Sequence, residues 1–238
     1  MPLVAPRVLA AVPAVVVAVL VAAVASIVVD VWLAVLVGVV AGLGTFLLVL
    51  WSAPGVALRS LGARPLPEGA EPRLESVVES ICATRGIAEP QLYLVESKAP
   101  DLAALGRPDE ARLVVTTGAL RQLDRLELEG VVARQLAATG EGLEAATVLV
   151  PVGVLAGPFG GRLRSRVLDE RRMAAVDIDA MSVTRYPPAL ASALEKAAAA
   201  GGVPDHAATR HLWLIGPAGT AGSPHPPLTE RIDTLREL

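Results

Sequence analysis

The stretch VLAAVPAVVVAVLVAAVASIVVDVWLAVLVGVVAGLGTFLLVLW (Val8–Trp51) decides how this chain begins to fold. Its one charged residue is Asp30, near the middle. A helix needs about 20 apolar residues to cross a hydrocarbon core. A single helix through the whole stretch is about twice that length and puts Asp30 at its costliest depth. Two runs, Val8–Val29 and Val31–Trp51, each match one span, and a hairpin between them places Asp30 at the turn. Trp32 and Trp51 then fall at the two ends of the second run, where amphipathic rings settle at membrane interfaces. Arg7 precedes the first run, and Arg59 and Arg64 follow the second. Positive flanks stay on the cytoplasmic side. The expectation is a multi-pass protein of the plasma (inner) membrane, with the rest of the chain in the cytoplasm and the lipid bilayer as its first partner. The competing reading is a cleaved leader ending at Ala23-Val24-Ala25; the apolar run continues past that site to Trp51.

Beyond Trp51 the composition changes. Apart from Arg7 and Asp30, every charged residue lies in this later part. The chain has a net charge of −3 and 3% aromatic residues, which argues against a nucleic-acid partner. Cys82 is the only cysteine, so it forms no internal disulfide. It sits in an apolar pattern and reads as a small core residue. The division expected is a hairpin over residues 1–53, a Pro/Gly-rich linker over 54–71, and a domain over 72–238.

Within that domain Leu74, Val77, Val78, Ile81 and Cys82 follow helical spacing up to Gly86. Gln91–Glu96 and Arg112–Thr117 read as strands, with Ala99–Glu110 between them as a polar loop. Gly118–Leu123 reads as a short helix. Asp124 with Glu127 forms a capping-box pattern that opens the helix LELEGVVARQLAA, Leu126–Ala138. Ala145–Gly161 is apolar and uncharged but short for a span. Arg162, Arg164 and Arg166 follow it at once. Two readings stand: a re-entrant or interfacial segment with the arginines at anionic headgroups, or a buried core helix with a basic end. Further helices are expected at Val167–Thr184, Ala189–Ala200 and Leu228–Leu238, and a last strand at His211–Ile215. The fold class is α+β, mainly helical, with a small sheet.

In this order the chain resembles the HtpX-type membrane metallopeptidases, which are gluzincins. The resemblance rests on the leading hairpin, on LVVTTGALRQL (Leu113–Leu123), and on the helix Leu126–Ala138. It continues through Arg172–Thr184 with Asp177, YPPALASALEK (Tyr186–Lys196), and His225-Pro226-Pro227 with Glu230-Arg231-Ile232 and Leu235. It implies a zincin-like domain in the cytoplasm and an active-site helix carrying His-Glu-x-x-His. Two histidines one turn apart bind zinc there, and the glutamate serves as general base. Under the resemblance the histidines fall on Arg134 and Ala138, the base on Gln135, and the third ligand on Met173. Arg134 adds a positive charge where the cation belongs, and Gln135 cannot take a proton. The expectation that follows is a pseudoenzyme without catalytic residues, metal or cofactor. It would serve as a binding, scaffold or regulatory subunit for another membrane protein or complex, in membrane-protein quality control.

The resemblance also implies a peptide-binding edge strand, Leu113, Val114, Val115, Thr116 and Thr117, to which an extended polypeptide adds by strand pairing. It implies an ion pair between Arg134 and Asp177 filling the metal's place. One alternative is an active zinc protease whose ligands are relocated to His206, His211 and Asp205. Another is a structural accessory subunit of a larger membrane complex.

Overall fold

A computed structural model describes residues 5–107, 109–137, 142–157, 186–203, 208–215 and 228–237. Helix α1 spans Pro6–Ala25 and helix α2 spans Val31–Leu61, with Asp30 at the N-cap of α2. Both are long and apolar enough to cross a membrane. They pack on small residues. Ala34, Gly38 and Gly42 form a buried line along α2, four residues apart. A Cβ at Gly38 would stand 2.6 Å from the Ala18 carbonyl oxygen and 2.7 Å from Ala22 Cβ. Backbones approach this closely only over glycine, the usual device for helix pairing in lipid. Most of the larger apolar side chains point away from this seam; Trp32 and Trp51 are 83% and 80% exposed.

At about 1.5 Å per residue, the 31-residue α2 is roughly 46 Å long, well beyond a core of about 30 Å. Its last turns therefore belong to the domain. Ala57 and Leu61 pack with Val95, Ala103, Leu105 and Val114 of the sheet. The expected linker at 54–71 is thus helical up to Leu61, straight through Pro54. That helix closes on Gly62, whose φ of 66° is the left-handed cap that favours glycine.

The sheet holds β1 (Arg64–Pro65), β2 (Gln91–Val95), β3 (Leu102–Arg107) and β4 (Glu110–Thr116) in the order β1-β2-β4-β3. β4 runs parallel to β2 and antiparallel to β3. Ala99–Glu110, expected as a loop, contains the whole of β3. Helix α3 (Pro72–Arg85) ends at Gly86 as its periodicity predicts, burying Leu74, Val77, Val78, Ile81 and Cys82. Helices α4 (Thr117–Gln122), α5 (Arg125–Ala137), α6 (Leu143–Leu155), α7 (Pro187–Ala199) and α8 (Leu228–Glu237) follow. Of the expected last strand only a 3-10 turn at Arg210–Leu212 and one bridge, Trp213 to Ala103, form.

α6 joins the two halves of the molecule. Its Ala145, Val148, Leu149 and Val152 pack against Leu9 and Ala10 of α1 and Val49 and Ala53 of α2. Val150, on another face, joins the sheet cluster. The Thr147 hydroxyl accepts from the Gly106 amide at 2.8 Å and donates to the Leu143 carbonyl at 2.7 Å. α6 is thus largely buried, with only Val154 and Leu155 strongly exposed among its large apolar residues. Arg162, Arg164 and Arg166 lie outside the described residues.

Candidate functional site

The site is built on α5. The capping box forms reciprocally: the Asp124 amide donates to Glu127 Oε2 at 2.8 Å and the Glu127 amide to Asp124 Oδ1 at 2.9 Å. This fixes where α5 starts and hence which side chains face inward. Gly130 lets α7 come close, since a Cβ there would lie 3.2 Å from the Leu190 backbone nitrogen. One turn further along, Arg134 and Gln135 are buried, 2% and 1% exposed.

Arg134 NH1 donates to Gln135 Oε1 at 3.1 Å, and Gln135 Nε2 donates to the Leu102 carbonyl of β3. The pair thus forms a polar chain inside the core. Zinc, which the resemblance implies, does not fit these two residues. A guanidinium carries a fixed charge of the same sign and offers no lone pair, and the Gln135 carbonyl oxygen is already used by Arg134. The remaining positions of that assignment, Ala138 and Met173, lie outside the described residues. So does Asp177, and with it the expected Arg134–Asp177 pair.

His211, assigned to a relocated metal site, is buried with Nε2 2.8 Å from the Ala146 carbonyl oxygen of α6. His206 and Asp205 lie outside the described residues. Among the described residues no three His, Cys, Asp or Glu side chains gather as a metal site would need.

The expected peptide edge needs correction. Leu113, Val114, Val115 and Thr116 sit in the interior of the sheet, hydrogen-bonded to β2 on one side and β3 on the other. Thr117 has left the strand and opens α4. A strand paired on both sides has no backbone groups left for an incoming peptide. β3 is the edge strand on that side of the sheet. It was hidden because Leu-Ala-Ala-Leu-Gly lacks the β-branched and aromatic residues that mark strands.

Two further groups, Asp101 and Glu127, make contacts that the sequence does not show. Asp101 is 1% exposed, and its Oδ1 accepts from the amides of Leu102 at 2.8 Å, Leu214 at 3.1 Å and Ile215 at 3.3 Å. An acidic residue just before an apolar run is the only signal it leaves. Glu127, read only as a cap, also receives Ser192 Oγ and Lys196 Nζ, both at 2.6 Å. These two lie four residues apart on α7, the one sequence hint of a shared target.

Burial pushes the Glu127 carboxyl up, but hydrogen bonds from Lys196, Ser192 and the Asp124 amide, with the Lys196 charge, outweigh it and hold it below the usual carboxylate range. A carboxyl depressed by folding stabilises the fold above its unfolded pKa, near ~4.3, and that contribution is lost as pH falls through the folded value. Glu127→Gln should therefore flatten the acid limb of the stability curve below about pH 5. Thermal melts of both proteins from neutral to acid pH measure this; parallel acid limbs would refute it. The Cys82 thiol is pushed up by burial and by the Glu89 charge. It therefore stays protonated at neutral pH, in keeping with a core role.

No family model matches the chain. Curated proteins do. A "Protease HtpX homolog" of Tropheryma whipplei (strain Twist) is 30% identical over 83% of this chain and 87% of its own length. Another of that name, from Acidiphilium cryptum, is 29% identical over 83% of this chain and 84% of its own length. One from Dictyoglomus turgidum is 29% identical over 81% and 80%. These names correct the expectation that the chain is not an enzyme, because the relatives matching it along most of its length are proteases by name. With matched length, two apolar leading helices and the α+β domain all in agreement, this chain belongs to the HtpX family of membrane metalloproteases.

Proposed function

We propose that this member of the family works in the plasma membrane as a binding subunit that holds another membrane protein in membrane-protein quality control. In this reading residues 1–53 form a hairpin crossing the bilayer twice. The domain over 72–238 faces the cytoplasm, and Arg162, Arg164 and Arg166 meet anionic headgroups. The observation that carries it is the junction at α6. Leu9 and Ala10, near the start of α1, and Val49 and Ala53, late in α2, pack on the same helix as the sheet does. Both ends of the hairpin are thereby held on the domain's side, while its outer face keeps Leu36, Leu43 and Leu47 exposed for lipid or a partner helix.

The test uses the full chain in its native membrane. A photo-crosslinking residue at Leu47 should give one reproducible protein adduct, whereas the same probe at Val150, buried in the domain, should give none. Adducts with lipid alone would overturn the binding role. An impermeant maleimide added to intact spheroplasts should label Ile27→Cys at the hairpin turn and spare Arg64→Cys; the reverse pattern would overturn the orientation.

A further inference from the structure

The outer edge of β3 carries the backbone groups to which an extended polypeptide would pair, and here several of them are already engaged. At one end, the Leu102 carbonyl accepts the Gln135 side-chain amide and, at 2.8 Å, the Leu214 backbone amide. Beside it, Ala103 forms an antiparallel bridge with Trp213. At the other end, the Gly106 amide donates to Thr147 Oγ1. Antiparallel approach, one residue of ladder pairing and an amide donated to an edge carbonyl are what strand addition requires. The segment is also latched. The Asp101 carboxylate accepts the amides of Leu214 and Ile215, and Arg231 NH1 donates to the Leu214 carbonyl at 3.0 Å. Trp213 and Leu214 are 4% and 1% exposed and join the core clusters on either side of the sheet.

We infer that the β3 edge is an extended-polypeptide site occupied from within: Trp213–Ile215 stands in for the incoming strand, and Gln135, reached by Arg134, takes the edge carbonyl beside it. The residues that do not fit a metal thus have a second use, since the same α5 turn that carries Arg134 closes the strand edge. A client strand can pair with β3 only after the segment leaves. This deepens the binding reading above by naming a second, gated site for polypeptide, and it rests on that reading for its purpose. Its geometry is independent of the hairpin, so the crosslinking test and the test below fail separately.

The experiment uses the full chain in detergent with Trp32→Phe and Trp51→Phe, which leaves Trp213 as the only tryptophan. Leu214→Pro removes the amide that bonds Leu102 and Asp101. Trp213 already has φ −75° and ψ 152°, the conformation preferred before proline. The probe is fluorescein-labelled β-casein, an unstructured polypeptide, followed by anisotropy on ice.

The parent should leave Trp213 emission unmoved on addition of the probe. The Leu214→Pro variant should bind it at least tenfold more tightly, with a red-shifted Trp213. A folded variant that binds no better than the parent overturns the inference, as does a parent whose Trp213 emission shifts with the probe. If the variant does not fold, hydrogen exchange on the parent decides. Peptides covering 102–107 should exchange as slowly as those covering 110–116. Exchange a hundredfold faster marks an open edge and sinks the idea.

Discussion

Gly38→Leu should separate the two helices of the hairpin. The backbone carbonyl of Ala18 and the Cβ of Ala22 already stand where its first carbon must go, at 2.6 and 2.7 Å. Neither is the end of a flexible side chain, so the helices themselves have to move. Over-packing of this kind costs about 1–3 kcal/mol in an ordinary core and more where backbone blocks relief. We expect a loss of about 3 kcal/mol in detergent-induced unfolding of the full chain. Gly44→Ala is the matched control, since a Cβ there meets nothing within 4 Å. It should be neutral within about 0.5 kcal/mol. If the two variants unfold alike, the hairpin is not held by this seam.

The second large effect is expected at Arg134. Truncation to alanine empties a fully buried volume and leaves the Gln135 carbonyl oxygen without its donor. A cavity of that size and an unsatisfied buried acceptor together cost about 3–5 kcal/mol. Arg134→Met restores most of the volume and none of the hydrogen bonds, so it should lose about 1–3 kcal/mol. The comparison separates packing from polar contact, and equal losses would mean that the guanidinium contributes only bulk. Because a guanidinium stands in this turn of α5, the melting temperature of the parent should be the same with EDTA as with added zinc. A rise with zinc, abolished by the chelator, would place a metal in the fold after all.

Much of this fold is legible in the amino-acid sequence alone. The hairpin follows from two span-length apolar runs on either side of Asp30, because span length is a property of the chain itself. The start of α5 follows from Asp124 and Glu127, because a capping box is complete within four residues. What the sequence hid is non-local. Leu113–Thr116 has the composition of a strand, but whether that strand lies at an edge depends on β3, whose alanines and glycine carry no strand signal. Pro54 reads as a breaker, yet α2 continues through it because Ala53, Ala57 and Leu61 gain contacts with α6 and the sheet. Arg134 and Gln135 could be named from the family resemblance. That the pair reaches a β-strand carbonyl could not, since Gln135 and Leu102 are 33 residues apart. Losing the motif residues does not by itself remove enzyme status, because the relatives that match most of the chain are proteases by name.

The packing of α6 has a mechanical consequence. A helix pair tilts to match the thickness of the bilayer around it, at a cost of only fractions of a kcal/mol per Å of mismatch. In this chain the hairpin has no swivel, because α2 runs unbroken into the sheet cluster and α6 is bolted to both. In the proposed membrane arrangement, a thinner bilayer that leans α2 over must therefore carry β3 and α5 with it, as the short arm of a lever.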